Sequence, residues 1–322
     1  MKMQKISGYE IRVTDKQTVE FLKSVFRSKR PVLVHGDIGG GKTTFMKFIA
    51  TFLIARGEKI FGLTDSNEME IFEFVEHYRT LWLLPEQLKG CYKEKHPNLH
   101  IEYVDLEYWE DLFNIIETSK DDIIICLDFL PLMLYALSQR DFKQYYPSFP
   151  EGCLFAVELS TAINAREWRT QENILAGSLI RMIRHGGTNG FHFLGDAQSL
   201  EDIDVTFRRT GGFKIVFKRM RLRRTNPIHD YIVRTFPKIA KKILKLPQEE
   251  FIALDNDKVY HGVNTIPPFH QDNFDLGKYF IVNKRISFQE KIKRTRIAKK
   301  YMLEIINPKK KNSWDDLYGG AY

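Results

Sequence analysis

Gly36, Gly39, Gly40, Gly41, Lys42, Thr43 and Thr44 stand within nine residues, in the segment PVLVHGDIGGGKTT that runs from 31 to 44. Glycines reach positive φ and let other atoms come close to the backbone, so successive N–H groups there can point into one concavity and hold phosphate oxygens. Lys42 has the length and charge to meet β and γ phosphates. Thr43 offers a hydroxyl to Mg²⁺. A helix expected over 43–55 would aim its positive end at the same anion, with Asp37 and Thr44 completing the loop. The spacing GxxxxGKT after an apolar strand and before a helix is the Walker A pattern, and it implies binding of a nucleoside triphosphate, ATP, with Mg²⁺.

Such a loop needs a rigid sheet behind it. GYEIRVT reads as a short alternating strand and 15–28 as an amphipathic helix carrying Phe21, Leu22, Val25 and Phe26. After the loop, apolar strand-like runs alternate with helix-like ones: KIFGLT (59–64), LHIEYVD (99–105), DIIICLDF (122–129), LFAVELS (154–160), GFHFLGDA (190–197) and GFKIVFKR (212–219). Runs this continuous suit strands covered on both faces. The expected class is α/β: a P-loop NTPase of RecA/ASCE-like type, a mainly parallel sheet between helices, with a basic C-terminal extension. Residues 1–270 would form the ATPase domain, with a strand and helix lead-in at 1–30, and 271–322 a basic helical tail with a flexible terminus. EEFIALDNDKVYHG reads as a hairpin turning at Asp255, Asn256 and Asp257.

Composition narrows the classes. Hydrophobic residues make up 43% of 322, enough for a sizeable core and too many for a disordered chain. The longest apolar run, 123–137, is broken by Asp128 and Pro131 and is too short to span a bilayer. The N-terminus lacks a signal-type apolar stretch, so a cytoplasmic protein is expected. Cys91, Cys126 and Cys153 have no CxxC spacing, and Cys91 with His96 and His100 makes at most three zinc ligands. The net charge of +8 is concentrated: residues 284–311 hold eleven lysines or arginines against Glu290 and Glu304, and 207–224 hold eight with no acid. Both stretches suit a phosphate backbone.

Hydrolysis needs a carboxylate at the tip of a strand near the loop. Two strands offer one. IIICLDF carries Asp128, a metal-facing acid with no following glutamate; LFAVELS carries Glu158, preceded by Val157 where an aspartate is usual.

The segment beyond Glu158 favours the second. It reads as a long helix, an Arg184-His185-Gly-Gly corner, an apolar strand ending at Gln198, and an Ile-Asp segment. In that order, after a Walker A loop, over roughly 30–270, the chain resembles the FtsK/HerA superfamily of DNA-pumping ATPases, which includes viral genome-packaging ATPases, conjugative coupling proteins and zonula occludens toxin-like phage assembly proteins. The resemblance implies Glu158 as the catalytic carboxylate, Gln198 as the sensor of the γ phosphate, and Arg184 as an arginine finger lent to the neighbouring subunit of a ring, a hexamer. Arg208 and Arg209 are second choices for the finger. Its activity would be ATP-driven translocation of double-stranded DNA, in a viral or plasmid packaging motor with capsid or portal-type partners, in the host cytoplasm or with the virion.

Two rivals stand beside this reading. An AAA-type loader would use Asp128 as the Walker B acid and Ser160 or Thr161 as sensor, and would place LFAVELS beside the P-loop strand; the packaging reading places GFHFLGDA there. A nucleotide-gated assembly protein with negligible turnover would need no metal-facing acid at 157.

Overall fold

The computed structural model describes residues 4–6, 9–11, 13–37, 39–62, 69–157, 181, 187, 190–197, 214–220, 233–234, 237–256, 258–267, 269–271, 274–283 and 286–306. A hairpin of β1 (Gln4–Ile6) and β2 (Tyr9–Ile11) precedes α1 (Lys16–Arg27), whose first turn is capped by the Asp15 carboxylate accepting from the Thr18 N–H. β3 (Val32–His35) leads through the glycine loop into α2 (Lys42–Ile54). Then come β4 (Lys59–Gly62), β5 (Thr80–Pro85), β6 (Tyr92–Glu94), β7 (Leu99–Val104), α3 (Asp111–Thr118), β8 (Ile123–Ile125), α4 (Leu130–Leu137) and α5 (Phe142–Tyr145). β9 (Gly152–Ala156), β10 (Phe191–Ala197), β11 (Lys214–Phe217), α6 (Ala240–Ile243), β12 (Glu250–Asp255), β13 (Lys258–Val263), β14 (Phe280–Val282) and α7 (Phe288–Ile306) follow.

Ten strands form one sheet in the order β13-β12-β11-β3-β10-β9-β4-β8-β5-β7. The eight from β11 to β7 run parallel; β12 and β13 close one edge as an antiparallel hairpin. The hairpin closes with Asp255 opposite Lys258, in the place that the sequence pattern sets, and Asn256 takes a left-handed φ of 54°. The period of two decides which face each side chain covers. Val32 and Val34 join the core formed with α1, α2 and the 3₁₀ segment Met69–Glu76, whereas Leu33 joins the opposite core with α3, α4 and α7. α2 is buried along nearly its whole length from Phe45 to Leu53, which is why it shows no clear polar stripe in sequence.

The C-terminal region is built into this body. β14 pairs with β6, Tyr279 and Phe280 are buried, and α7 inserts Ala298, Met302 and Ile306 into the core. α7 packs on α4 and on the 3₁₀ turns Glu86–Leu88, Leu106–Tyr108 and Leu127–Phe129, which directly follow β5, β7 and β8. It therefore lies over the carboxyl end of the sheet, the end that also carries the glycine loop. Among the described residues no helix is long and apolar enough to cross a membrane.

Candidate functional site

β3 delivers the chain to the loop as a fully buried strand, so the loop's base is fixed by the middle of the sheet. Gly39 and Gly41 adopt φ of 68° and 83°, the left-handed region that side chains resist, and Gly41 caps the N-terminus of α2. Gly40 is needed for space: a Cβ there would stand 2.7 Å from the Arg219 carbonyl and 2.9 Å from that of Asp37. The loop closes on itself through the Gly40 N–H donating to the Asp37 carbonyl at 2.9 Å, and docks on the segment after β11 through the Asp37 N–H donating to Arg219 O at 3.2 Å.

Lys42 turns its ammonium into this cradle. Nζ donates to the Asp37 carbonyl at 3.1 Å and lies 3.8 Å from Oδ2 of Asp196, a carboxylate 1% exposed on β10. The next residues, Thr43 and Thr44, occupy the first turn of α2, and the Thr44 hydroxyl lies 3.3 Å from Nε2 of His270. Gly36, Asp37, Gly39, Gly40, Gly41, Lys42, Thr43 and Thr44 are thus brought together as the Walker A spacing requires. The loop at the tip of a central parallel strand, opening a helix, is a phosphate-binding arrangement.

Lys218 lies directly beneath it. The side chain is fully buried, and Nζ donates to the Gln248 carbonyl at 2.7 Å, the Glu250 carbonyl at 2.8 Å and Asn264 Oδ1 at 2.5 Å. Its Cβ and Cε line the backs of Gly36 and Gly41. Burial pushes its pKa down to about 7, against the pull of Glu249 and Glu250. On α2 itself a second buried lysine, Lys47, lies 2.9 Å from both Glu70 and Glu73, and Glu73 is also 3.4 Å from Nδ1 of His270.

The expected acids fare differently. Asp128 falls in the 3₁₀ turn after β8, and β10, β9 and β4 separate that strand from β3, a span of four strand spacings or about 19 Å. That strand spacing sets Asp128 well away from the glycine loop, and LFAVELS does not stand beside β3, the place in which the loader reading expects it. GFHFLGDA stands there instead: β10 pairs with β3 on one side and β9 on the other. Glu158, Arg184 and Gln198 lie outside the described residues, as do Ser160, Thr161, Arg208 and Arg209. Described chain ends just short of two of them, at Val157 after β9 and at Ala197 closing β10.

The basic stretch 207–224 is also corrected in part. Lys214 and Lys218, expected on a polyanion-facing surface, are buried in β11 and its exit, because β11 is an internal strand between β3 and β12. Lys214 Nζ is held by Asp255 Oδ2 at 2.5 Å and Ser24 Oγ at 3.0 Å. Cys91 is buried with its sulfur 4.0 Å from Arg294, His100 pairs with Glu94 and Glu102, and the described residues hold no cluster of three metal-type ligands. Asp196, Lys218 and His270 escaped the sequence reading. Asp196 had a visible signal, an acid near the carboxyl end of an otherwise apolar strand.

The fold is that of a P-loop NTPase. No family model and no curated protein matches the sequence. Among solved structures the chain is similar to the genome packaging NTPase B204 from Sulfolobus turreted icosahedral virus 2 in complex with AMPPCP, at 13% identity, over 74% of this chain and 98% of that one, with a TM-score of 0.47. It is also similar to EssC (ATPases 2 and 3) from Geobacillus thermodenitrificans, at 12% identity, over 88% of this chain and 46% of that one, with a TM-score of 0.42.

Proposed function

We propose that the chain is an ATP-driven motor for double-stranded DNA, of the kind that packages a viral or plasmid genome. The observation that carries this reading is the strand order, with β10 between the loop strand β3 and the strand β9 that runs out toward Glu158. That order supports the reading: β10, the strand that leads to Gln198, lies beside the loop strand, and β9, which leads to Glu158, lies one strand further. Lys42 binds the β and γ phosphates and Thr43 the Mg²⁺; Glu158 orients the attacking water and Gln198 senses the γ phosphate. Arg184 completes the site of a neighbouring subunit, so turnover depends on a ring, a hexamer. Capsid or portal-type proteins are its fitting partners, in the host cytoplasm or with the virion.

α7 supports the DNA part of the reading. Lys293, Arg296 and Lys300 are exposed on a helix that lies over the carboxyl end of the sheet, so positive charge and nucleotide loop share one end of the subunit. Contacts of this type are made to phosphates and carry no sequence information, which suits a motor.

Phosphate release with and without double-stranded DNA tests the reading. Wild type should be stimulated by DNA, Lys42→Ala and Glu158→Gln should be silent, and Arg184→Ala should bind ATP without turnover. Normal hydrolysis by Glu158→Gln would overturn the assignment.

A further inference from the structure

Val157 follows β9 at the place where a metal-facing aspartate is usual, and it is buried at 2% exposure within the apolar core shared with Val34 and Leu194. No carboxylate comes from that position. On the neighbouring strand Gly195 pairs with Ala156, so Asp196 and Val157 are the next residues side by side on adjacent parallel strands. Asp196 in turn pairs with Val34 on β3, two residues ahead of Gly36. Residues in register on parallel strands face the same side of the sheet, here the side of α2 and the loop. The carboxylate is 1% exposed, and its Oδ2 lies 3.8 Å from Nζ of Lys42, the residue preceding Thr43.

We propose that Asp196 is the acid that positions Mg²⁺, displaced by one strand from the usual place and set nearer the loop. This rests on the reading of the loop as an ATP site. The donor set fits the ion: Mg²⁺ takes six oxygens and keeps several waters, and the Thr43 hydroxyl and the buried Asp196 carboxylate are both hard oxygen donors that would hold it. Charge balance fits as well. A buried carboxylate is costly without a cation, and the Lys42 ammonium provides one beside it. With Lys42 engaged by phosphates, a divalent cation held by Asp196 would supply the balancing charge. The proposal also accounts for how a chain with valine at 157 and Asp128 across the sheet could hold the metal: the acid comes from β10, the strand between β9 and the loop strand β3.

Binding of the non-hydrolysable analogue AMPPNP to the full chain, followed by calorimetry in EDTA and then across a Mg²⁺ titration, reads the metal without turnover. In Asp196→Asn the Mg²⁺ concentration that half-maximally tightens binding should rise at least tenfold, with binding in EDTA no weaker than wild type. Adding Val157→Asp to that variant should bring the midpoint back toward wild type. A midpoint unchanged within twofold in Asp196→Asn overturns the proposal, while failure of the wild type to bind AMPPNP at any Mg²⁺ concentration overturns the ATP reading with it. A measurement on the wild type alone guards against a variant that does not fold. Ferrous iron replacing Mg²⁺, with ascorbate and peroxide, should cut the chain beside Asp196 and Thr43. Cutting beside Thr43 with none at 196 overturns the proposal.

Discussion

The ammonium of Lys218 lies 2.5 Å from Oδ1 of Asn264, directly behind the glycines of the phosphate loop. One buried lysine therefore ties the loop's support to three carbonyl-type acceptors on the segment 248–264. Lys218→Met should leave those acceptors without their donor and lower stability by about 1–3 kcal/mol, read from urea unfolding, with weaker nucleotide binding. The pH dependence has a definite sign. Its folded pKa of about 7 lies below the ordinary 10.5, so between these values unfolding takes up a proton and wild-type stability rises with pH. Lys218→Met should lose that rise.

Gly40→Ala should abolish nucleotide binding, because its Cβ would meet the Arg219 and Asp37 carbonyls and the loop must shift to admit it. Gly57→Ala is the control. Gly57 has a similar left-handed φ of 86° but open space around it, so it should lose about 1 kcal/mol of stability and keep its nucleotide affinity. Equilibrium binding of a fluorescent ATP analogue separates the two.

Lys47→Met should cost about 3 kcal/mol, since it strands Glu73, a carboxylate 1% exposed, beside Glu70. Combining it with Glu73→Gln should recover part of the loss. A double-mutant cycle by denaturant unfolding measures that coupling, and strict additivity would show that the pair does not interact.

Asp255→Asn should destabilise by about 3 kcal/mol by leaving Lys214 buried without its counter-charge. Burial alone would raise the Asp255 pKa, but hydrogen bonds from Lys214 and Ser24, with Arg30 nearby, hold it below its ordinary value of 3.8. A depressed acid stabilises the fold above its unfolded-state pKa, and that contribution is lost as pH falls through the folded value. The variant should therefore show a shallower acid limb when unfolding free energy is followed from pH 5 downward.

Much of the parallel sheet was legible because its strands are continuous apolar runs, and the hairpin because Asp255, Asn256 and Asp257 sit between two of them. Thr80–Pro85 was not: a short apolar run ending in proline gives no periodicity to tell strand from helix turn. The loop residues were legible because glycine spacing dictates backbone conformation directly. Lys214 and Lys218 misled, since eight basic residues in a row of eighteen look like a surface, and only the pairing of β11 between β3 and β12 buries them. Asp196 was visible as an acid in an apolar strand, but what it stands beside was not. Its neighbours across the sheet, Val34 and Val157, are far away in sequence.

Displacement of a third strand from a long DNA duplex, followed as ATP is consumed, tests most directly whether the chemistry at Lys42 moves DNA. The account predicts ATP-dependent displacement by wild type and none by Lys42→Ala or Glu158→Gln. Steady ATP hydrolysis by wild type with no displacement would contradict it.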